Sequence, residues 1–330
     1  MYNRTMVYKD NIFGKVVISD RLASKIIKHP EFQRLKKIAC QGIPERYYFT
    51  RVFNRFEHSI GVYLILKKIN ADYKEQIAGL LHDISHKAFS HVYDWVIKDY
   101  TKSGNMEDAQ DILHATYLNK STIKKLIIDH GIEPYDLFDL NKHKLLDSEI
   151  PNLCADRIEY SIRSLPPEFA TTVLESLIVK ENRIVLKDIK VAKEYAYKFL
   201  ALQNDEWGSN EAAVRYYHFS EILKLALKHK VLSLSDFDLD DMSLIKTIIA
   251  SKISILTERL SLLKGPIAVS TKSKLEKKVV YKKFRYIDPE ILNQKDNKVF
   301  RLSSYDLKFK KAVEQSKRRN KIGTEFTPLW

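Results

Sequence analysis

Apolar residues recur at helical spacing through the first two thirds of the chain. The pattern predicts amphipathic helices over 20–40, 57–70, 73–83, 106–118, 120–130, 151–164, 190–203 and 210–230. Pro30 suits a first helical turn ahead of EFQRLKKIA, and Gly42 with Pro44 marks the end of that segment. Two short stretches depart from the helical period. YYFTRVF is aromatic and β-branched and predicts a strand, while LIVKENRIVL alternates about Glu181-Asn182 and predicts a hairpin.

Further along, Asp236, Asp238, Asp240 and Asp241 have the look of a calcium loop. The sixth position is Asp241 where that loop needs Gly, and the twelfth is Thr247 where it needs Glu. The segment reads instead as the lead-in to a helix over 242–263, ended by Gly265-Pro266. A basic, alternating stretch follows (KKVVYKKFRYIDP), then helical spacing in the 304–319 region. The expectation is a mainly α protein with a short β-hairpin and a small α+β C-terminal extension. Residues 1–230 would form the core, and 231–330 a helical then basic region packed on it.

Composition narrows this picture. A chain of 330 residues with 45% apolar content can bury a full core without staples. Cys40 and Cys154 are its two cysteines, too few for a disulfide framework or a thiolate zinc site, which suggests a reducing compartment. No stretch approaches the roughly 20 apolar residues of a membrane span, so no membrane partner and a cytoplasmic location are expected. The net charge of +14 is concentrated late: residues 271–330 hold seventeen Lys/Arg against seven Asp/Glu. Such a tail attracts phosphate-bearing partners, nucleotide or nucleic acid, although Lys-rich faces also serve solubility alone.

The chemistry suggested by the sequence lies in its histidines. Five of the ten, His58, His82, His86, His91 and His114, fall in one 57-residue window that also carries Asp83 and Asp94. Imidazole and carboxylate together suit a borderline or hard divalent ion (Mn, Fe, Ni, Zn or Mg) that keeps positions open for water and a phosphate oxygen. A His-Asp dipeptide alone is a weak motif. Here EQIAGLLHDISH sets the pair at the end of an apolar helix, with His86 on the same face if that helix continues, and NRFEHSIGV sets His58 at the start of another.

NRFEHSIGV, QIAGLLHDISHKAFSHVYDW and CADRIEY together resemble the HD-domain metal-dependent phosphohydrolases, and within them the deoxynucleoside triphosphate triphosphohydrolase branch. The similarity runs from PEFQRLKKI to about residue 165, and more weakly into RYIDPEI and RLSSYDL. It implies an HD-domain helical fold with His58, His82, Asp83 and Asp156 as metal ligands. It also implies His86, His91, Asp94 and His114 as catalytic groups, and Arg55, Arg157, Tyr160 and Arg163 as substrate contacts. Cys40 stands where that branch carries a Gln that reads the sugar hydroxyl, and Glu159 and Ser164 stand where it carries aspartates. A site that recognises a hydroxyl through one hydrogen bond changes its specificity when that partner changes.

Three readings follow. The first is hydrolysis of a deoxynucleoside triphosphate to nucleoside and tripolyphosphate. The second is a phosphodiesterase or phosphatase acting on another nucleotide or phosphate ester. The third, of another class, is a regulatory protein that binds nucleic acid through its basic tail and keeps a vestigial metal site. The resemblance also implies a homo-oligomer.

Overall fold

A computed structural model of the protein describes residues 5–97, 106–139, 142–267 and 276–330, with 106–112 described in backbone alone. The helix Arg55–Lys68 runs through the main core, with eleven of its fourteen residues buried. It begins at Asn54, whose side-chain oxygen accepts the Glu57 amide at 2.9 Å. Burial on every side, rather than along one stripe, marks a helix with neighbours all round. One neighbour is the helix Tyr73–Leu81, capped by the Asp72 carboxylate. A Cβ on Gly79 would fall 2.3 Å from Leu66 Cδ1, so glycine is what lets these two helices approach. A second neighbour is the helix Ala155–Ile162.

Several predicted elements are cut differently. The stretch 20–40 is three pieces, Arg21–Lys28, Pro30–Gln33 and a 3-10 turn at Arg34–Lys37, because His29 takes an extended conformation ahead of Pro30. YYFTRVF makes no strand. A 3-10 turn at Glu45–Tyr47 leads into irregular chain, and the nearest pairing is one isolated bridge between Ala39 and Asn54. Its aromatics serve packing: Tyr47 lies against Phe219 at 6.1 Å, and Tyr48 and Phe53 face a cavity. The helix expected over 242–263 is two, Asp241–Ala250 and Ser254–Leu262, parted where Lys252 adopts φ 56°.

The hairpin forms as expected. Leu177–Lys180 pairs antiparallel with Arg183–Leu186, and Glu181 and Asn182 both take the left-handed conformation that a tight two-residue turn demands. The tail extends this sheet: Leu186 pairs with Ile291 in parallel, and Glu290–Leu292 pairs antiparallel with Val299–Arg301. Two further pairs, Met6–Asp10 with Gly14–Ile18 and Lys278–Val280 with Thr324–Phe326, sit apart from it. A long basic helix, Leu307–Ile322, buries Phe309 and Val313.

Buried apolar residues gather in two clusters. The first joins the helices around Arg55–Lys68 to Ile287, Ile291, Leu302 and Phe309 of the tail. The second joins Tyr47, Phe89 and Val92 to Phe219, Phe237, Ile245, Leu256 and Phe326, so residues on both sides of position 230 share one core. Tyr160 and Trp207 pack on the first cluster and Tyr48 and Tyr216 on the second, and all four line the cavity between them.

Buried Asp241 joins the loops around that cavity. Its carboxylate accepts the amides of Ala39 at 2.8 Å and Phe89 at 2.7 Å. Phe89 and Ser90 both have positive φ, an unfavourable backbone for such residues that needs holding in place.

Candidate active site

Each ligand candidate owes its position to local structure. His58 sits in the first turn of Arg55–Lys68. The helix Tyr73–Leu81 ends just before His82, and tight turns carry Asp83 and then His86 into the cavity, so His86 arrives through a turn and not along a continuing helix. Asp156 starts the helix Ala155–Ile162. The loop before it is held by buried Glu75, which accepts the amides of Leu145 and Leu146 at 2.7 and 2.9 Å.

His58, His82 and Asp156 present three ligand atoms within 4.8 Å of one another. The imidazoles are oriented from behind. His82 Nδ1 donates to the Gly79 carbonyl at 2.7 Å, and His58 Nδ1 donates to the Glu159 carboxylate at 2.5 Å. With Nδ1 carrying the proton in both rings, two Nε2 lone pairs face each other 3.2 Å apart, and His58 Nε2 is 2.9 Å from Asp156 Oδ1. Lone pairs and a carboxylate converging on one point need positive charge between them, supplied by a proton on His58 Nε2 or by a metal ion.

Asp83 completes the surround, its oxygens 3.5 Å from His82 Nε2 and 3.7 Å from His58 Nε2. Burial alone would lower the pKa of His58, but the carboxylates of Glu159, Asp156 and Asp83 reverse that and raise it to about 10. Asp83 and Asp156 stay ionised against burial, Asp83 held by Arg55, His82 and His86, and Asp156 by His58 and His82. The carboxylates around His58 and His82 favour positive charge at that cluster, as a divalent-ion site must. The donor set fits such an ion, with N and O ligands and no thiolate.

The other residues singled out from the sequence divide into two groups. Arg55, His86, His91, Tyr160 and Cys40 line one cavity of about 230 Å³ with the ligand cluster. Arg55 donates to Asp83 and, through Nε, to Ser90 Oγ at 2.7 Å. His86 Nε2 is 3.1 Å from Asp83 Oδ1, and its ring meets that of His91 edge-on at 5.9 Å. His91 is the accessible imidazole, its side chain 44% exposed, with Asp94 at 3.8 Å. Desolvation, with the charges of Arg55 and Arg285 acting against Asp94, lowers its pKa to about 4. Burial raises the thiol of Cys40.

Arg157, Arg163, His114 and Asp94 are not in that wall. Arg157 donates to the carbonyls of Asn152 and Ser148 at 2.5 and 3.0 Å, bracing the loop before Asp156. Arg163 bonds Glu159 at 2.5 Å and Asp10 at 3.0 Å, on the far side of Glu159 from His58. His114 is buried, with Nδ1 3.2 Å from Ser85 Oγ, beneath the turn that carries the ligands.

The cavity also holds residues that sequence reasoning passed over: Gln41, Trp207, Tyr216, Lys282 and Arg285. Gln41 is adjacent to Cys40, and its buried side-chain oxygen has no partner, so an amide faces the cavity after all, one position later than expected. Lys282 and Arg285 belong to the basic stretch KKFRY, which was visible as charge but not as part of this site.

The HD-domain family matches residues 55–152. An uncharacterised protein of Bacillus subtilis, YdhJ, is 32% identical over 96% of this chain and 98% of its own length. A metal-dependent phosphohydrolase of Cordyceps militaris is 29% identical over 65% of this chain and 64% of its own. A deoxynucleoside triphosphate triphosphohydrolase of Xenopus laevis is 38% identical over 27% of this chain and 16% of its own. The crystal structure of a phosphohydrolase from Bacteroides thetaiotaomicron shares the fold, with a TM-score of 0.68 at 16% identity over 92% of this chain and 95% of that one. With that kinship and a converging His, His, Asp cluster, the chain belongs to the HD-domain metal-dependent phosphohydrolases and is a hydrolase acting on phosphate esters.

Proposed function

We propose that the substrate is a nucleotide, hydrolysed at a phosphoryl group beside a divalent ion held by His58, His82, Asp83 and Asp156. The observation that carries this reading is the pair of imidazoles whose Nδ1 atoms are both committed to acceptors, so that both Nε2 atoms turn inward at 3.2 Å. An ion held there polarises a phosphoryl oxygen and lowers the pKa of bound water.

The surrounding residues then take distinct roles. Arg55 holds Asp83 in place, and His86 buttresses the same carboxylate. His91, facing the cavity with Asp94 behind it, is a neutral imidazole suited to stabilise charge developing on a leaving oxygen by hydrogen bonding. Tyr48, Phe53, Tyr160, Trp207 and Tyr216 supply the aromatic walls that suit a base, and Gln41 an unpartnered amide oxygen that could accept from a sugar hydroxyl. Arg157, Arg163 and His114 support these groups from behind.

Within this class we favour a deoxynucleoside triphosphate cleaved to nucleoside and tripolyphosphate, on the motif resemblance and the unpartnered Gln41 oxygen. A phosphatase or phosphodiesterase using the same ion is the runner-up. The free thiols, and the lack of any helix among the described residues long and apolar enough to cross a membrane, favour a cytoplasmic setting.

The test is product analysis with metal-reconstituted protein over deoxy- and ribonucleoside triphosphates, monophosphates and cyclic nucleotides. Tripolyphosphate is the expected product, and orthophosphate or an opened cyclic nucleotide would move the assignment to the runner-up. Full turnover in Asp156→Ala would overturn the reading.

A further inference from the structure

We infer that Lys282 and Arg285 form an anion-binding site in the wall of the cavity, holding a phosphate group of the substrate other than the one at the metal cluster. The inference rests on the reading of this cavity as a phosphohydrolase site and extends it to a residue pair more than a hundred positions beyond the last metal ligand.

The first observation is which cations are free. Arg55 is committed to Asp83 and Ser90, Arg157 to backbone carbonyls, and Arg163 to Glu159 and Asp10. The arginines that sequence reasoning assigned to the substrate are thus already engaged within the protein. Lys282 and Arg285 line the cavity, and among the described residues neither has a carboxylate partner.

The second observation is that the segment carrying them is fixed at both residues. Asn320 Nδ2 donates to the Lys282 carbonyl at 2.9 Å, and the Arg285 amide donates to Gln203 Oε1 at 3.0 Å. Gln203 is buried and begins the π-helical turn Gln203–Trp207, which also sets Trp207 edge-on to Tyr160 at 5.2 Å in the same wall. This π turn closes the helix Ile189–Leu202 just before the helix Asn210–Lys228 begins. The basic pair and the aromatic wall are therefore built from one joint.

The third is the electrostatic state of the pair. Lys282 Nζ lies 3.0 Å from the centre of the Tyr216 ring. Burial, and then the charge of Arg285, pull its pKa well below the ordinary lysine value. Lys282 packs on Tyr216 in the same wall as Arg285, and an anion bridging the two would restore the ammonium charge that burial and the neighbouring guanidinium disfavour. A guanidinium fork beside an ammonium is the pairing that suits phosphate oxygens. Carboxylates lining the cavity, Asp83, Asp147 and Asp156, cluster around the metal ligands and the preceding loop. A ligand spanning from ion to basic pair then needs two anionic groups.

The experiment is calorimetric titration of metal-loaded full-length protein with orthophosphate, pyrophosphate and tripolyphosphate. It compares wild type with Lys282→Met, Arg285→Met and the double variant, each checked for metal content and melting temperature. Wild type is expected to bind pyrophosphate and tripolyphosphate more tightly than orthophosphate. The double variant is expected to lose at least about tenfold in affinity for the longer anions, with orthophosphate affinity and metal content unchanged.

Equal affinity for the longer anions in wild type and double variant would overturn the inference, as would a wild type that holds orthophosphate just as tightly as pyrophosphate. If Lys282→Met unfolds, Lys282→Gln answers the same question. Loss of single-stranded oligonucleotide binding with pyrophosphate affinity intact would also overturn it, assigning the pair to nucleic acid. No turnover of any nucleotide, with the affinity loss present, would refute the proposed reaction and leave this site standing. Turnover with unchanged affinities would do the reverse.

Discussion

Glu159 occupies the space that a side chain on Gly61 would fill: a Cβ built on Gly61 would fall 1.9 Å from Glu159 Oε1. The two are matched across the contact between the helices Arg55–Lys68 and Ala155–Ile162. The result is a fully buried carboxylate that reaches His58 Nδ1 on one side and Arg163 on the other.

Gly61→Ala should therefore damage the metal centre without touching a ligand. It forces the Glu159 carboxylate off His58, and loss of such a backing partner typically weakens metal binding by about 10–100-fold. Adding Glu159→Asp, which shortens the acid and makes room for the methyl group, should recover part of that affinity. Titration of apo protein with Mn²⁺ or Zn²⁺ measures it. Unaltered affinity in Gly61→Ala, or no recovery in the double variant, would dissolve the link between these two residues.

A second expectation concerns Asp241. Burial pushes its carboxyl up to about 7, although the amides of Ala39 and Phe89 pull the other way. Asp241→Ala strands two buried N–H groups at a cost of about 3 kcal/mol. It should also loosen both loops that flank the cavity. Calorimetric melting together with amide exchange at Phe89 reports both effects, and rapid exchange in the wild type would count against the clamp.

A third expectation is a pH dependence far from the metal. His218 is fully buried among Tyr217, Phe326 and Trp330, and neither ring nitrogen has a partner. Burial, with the charge of Arg259 adding to it, lowers its pKa to about 4. A depressed folded-state pKa means that the unfolded chain binds the proton more readily, so the stabilisation is complete above about pH 6.5 and is lost as pH falls towards 4, by about 3 kcal/mol in all. His218→Phe should make the stability profile less steep in that window, where His91 and His114 also contribute, when denaturation is followed from pH 7 to 4. A slope identical to wild type would remove His218 as its source.

How much of this was legible in the sequence depended on how local the signal was. His58, His82, Asp83 and Asp156 stand in short motifs on or beside helices whose existence apolar spacing indicates, although their ends differ by up to four residues, and the fold places the four side chains together. The Glu181-Asn182 hairpin was equally local. Arg157 and Arg163 were recognisable as cations, but their partners, a pair of carbonyls and Asp10, are tertiary facts that no spacing announces. Lys282 and Arg285 were visible only as charge, because what brings them to the site is Gln203 and Asn320, each in another helical segment. YYFTRVF misled because aromatic and β-branched residues serve a cavity wall as well as they serve a strand.

Phe89 and the carboxylate that holds its amide are 152 residues apart. Chains are made from the N-terminus, and their early parts begin to fold first. Every candidate ligand has been synthesised well before Asp241 exists, yet the Phe89 amide in the turn beside them has no carboxylate to accept it until it does. A prematurely ended chain would carry the full set of imidazoles and carboxylates and still lack a finished cavity. The late carboxylate thus makes the finished cavity contingent on a stretch of chain well beyond the candidate ligands.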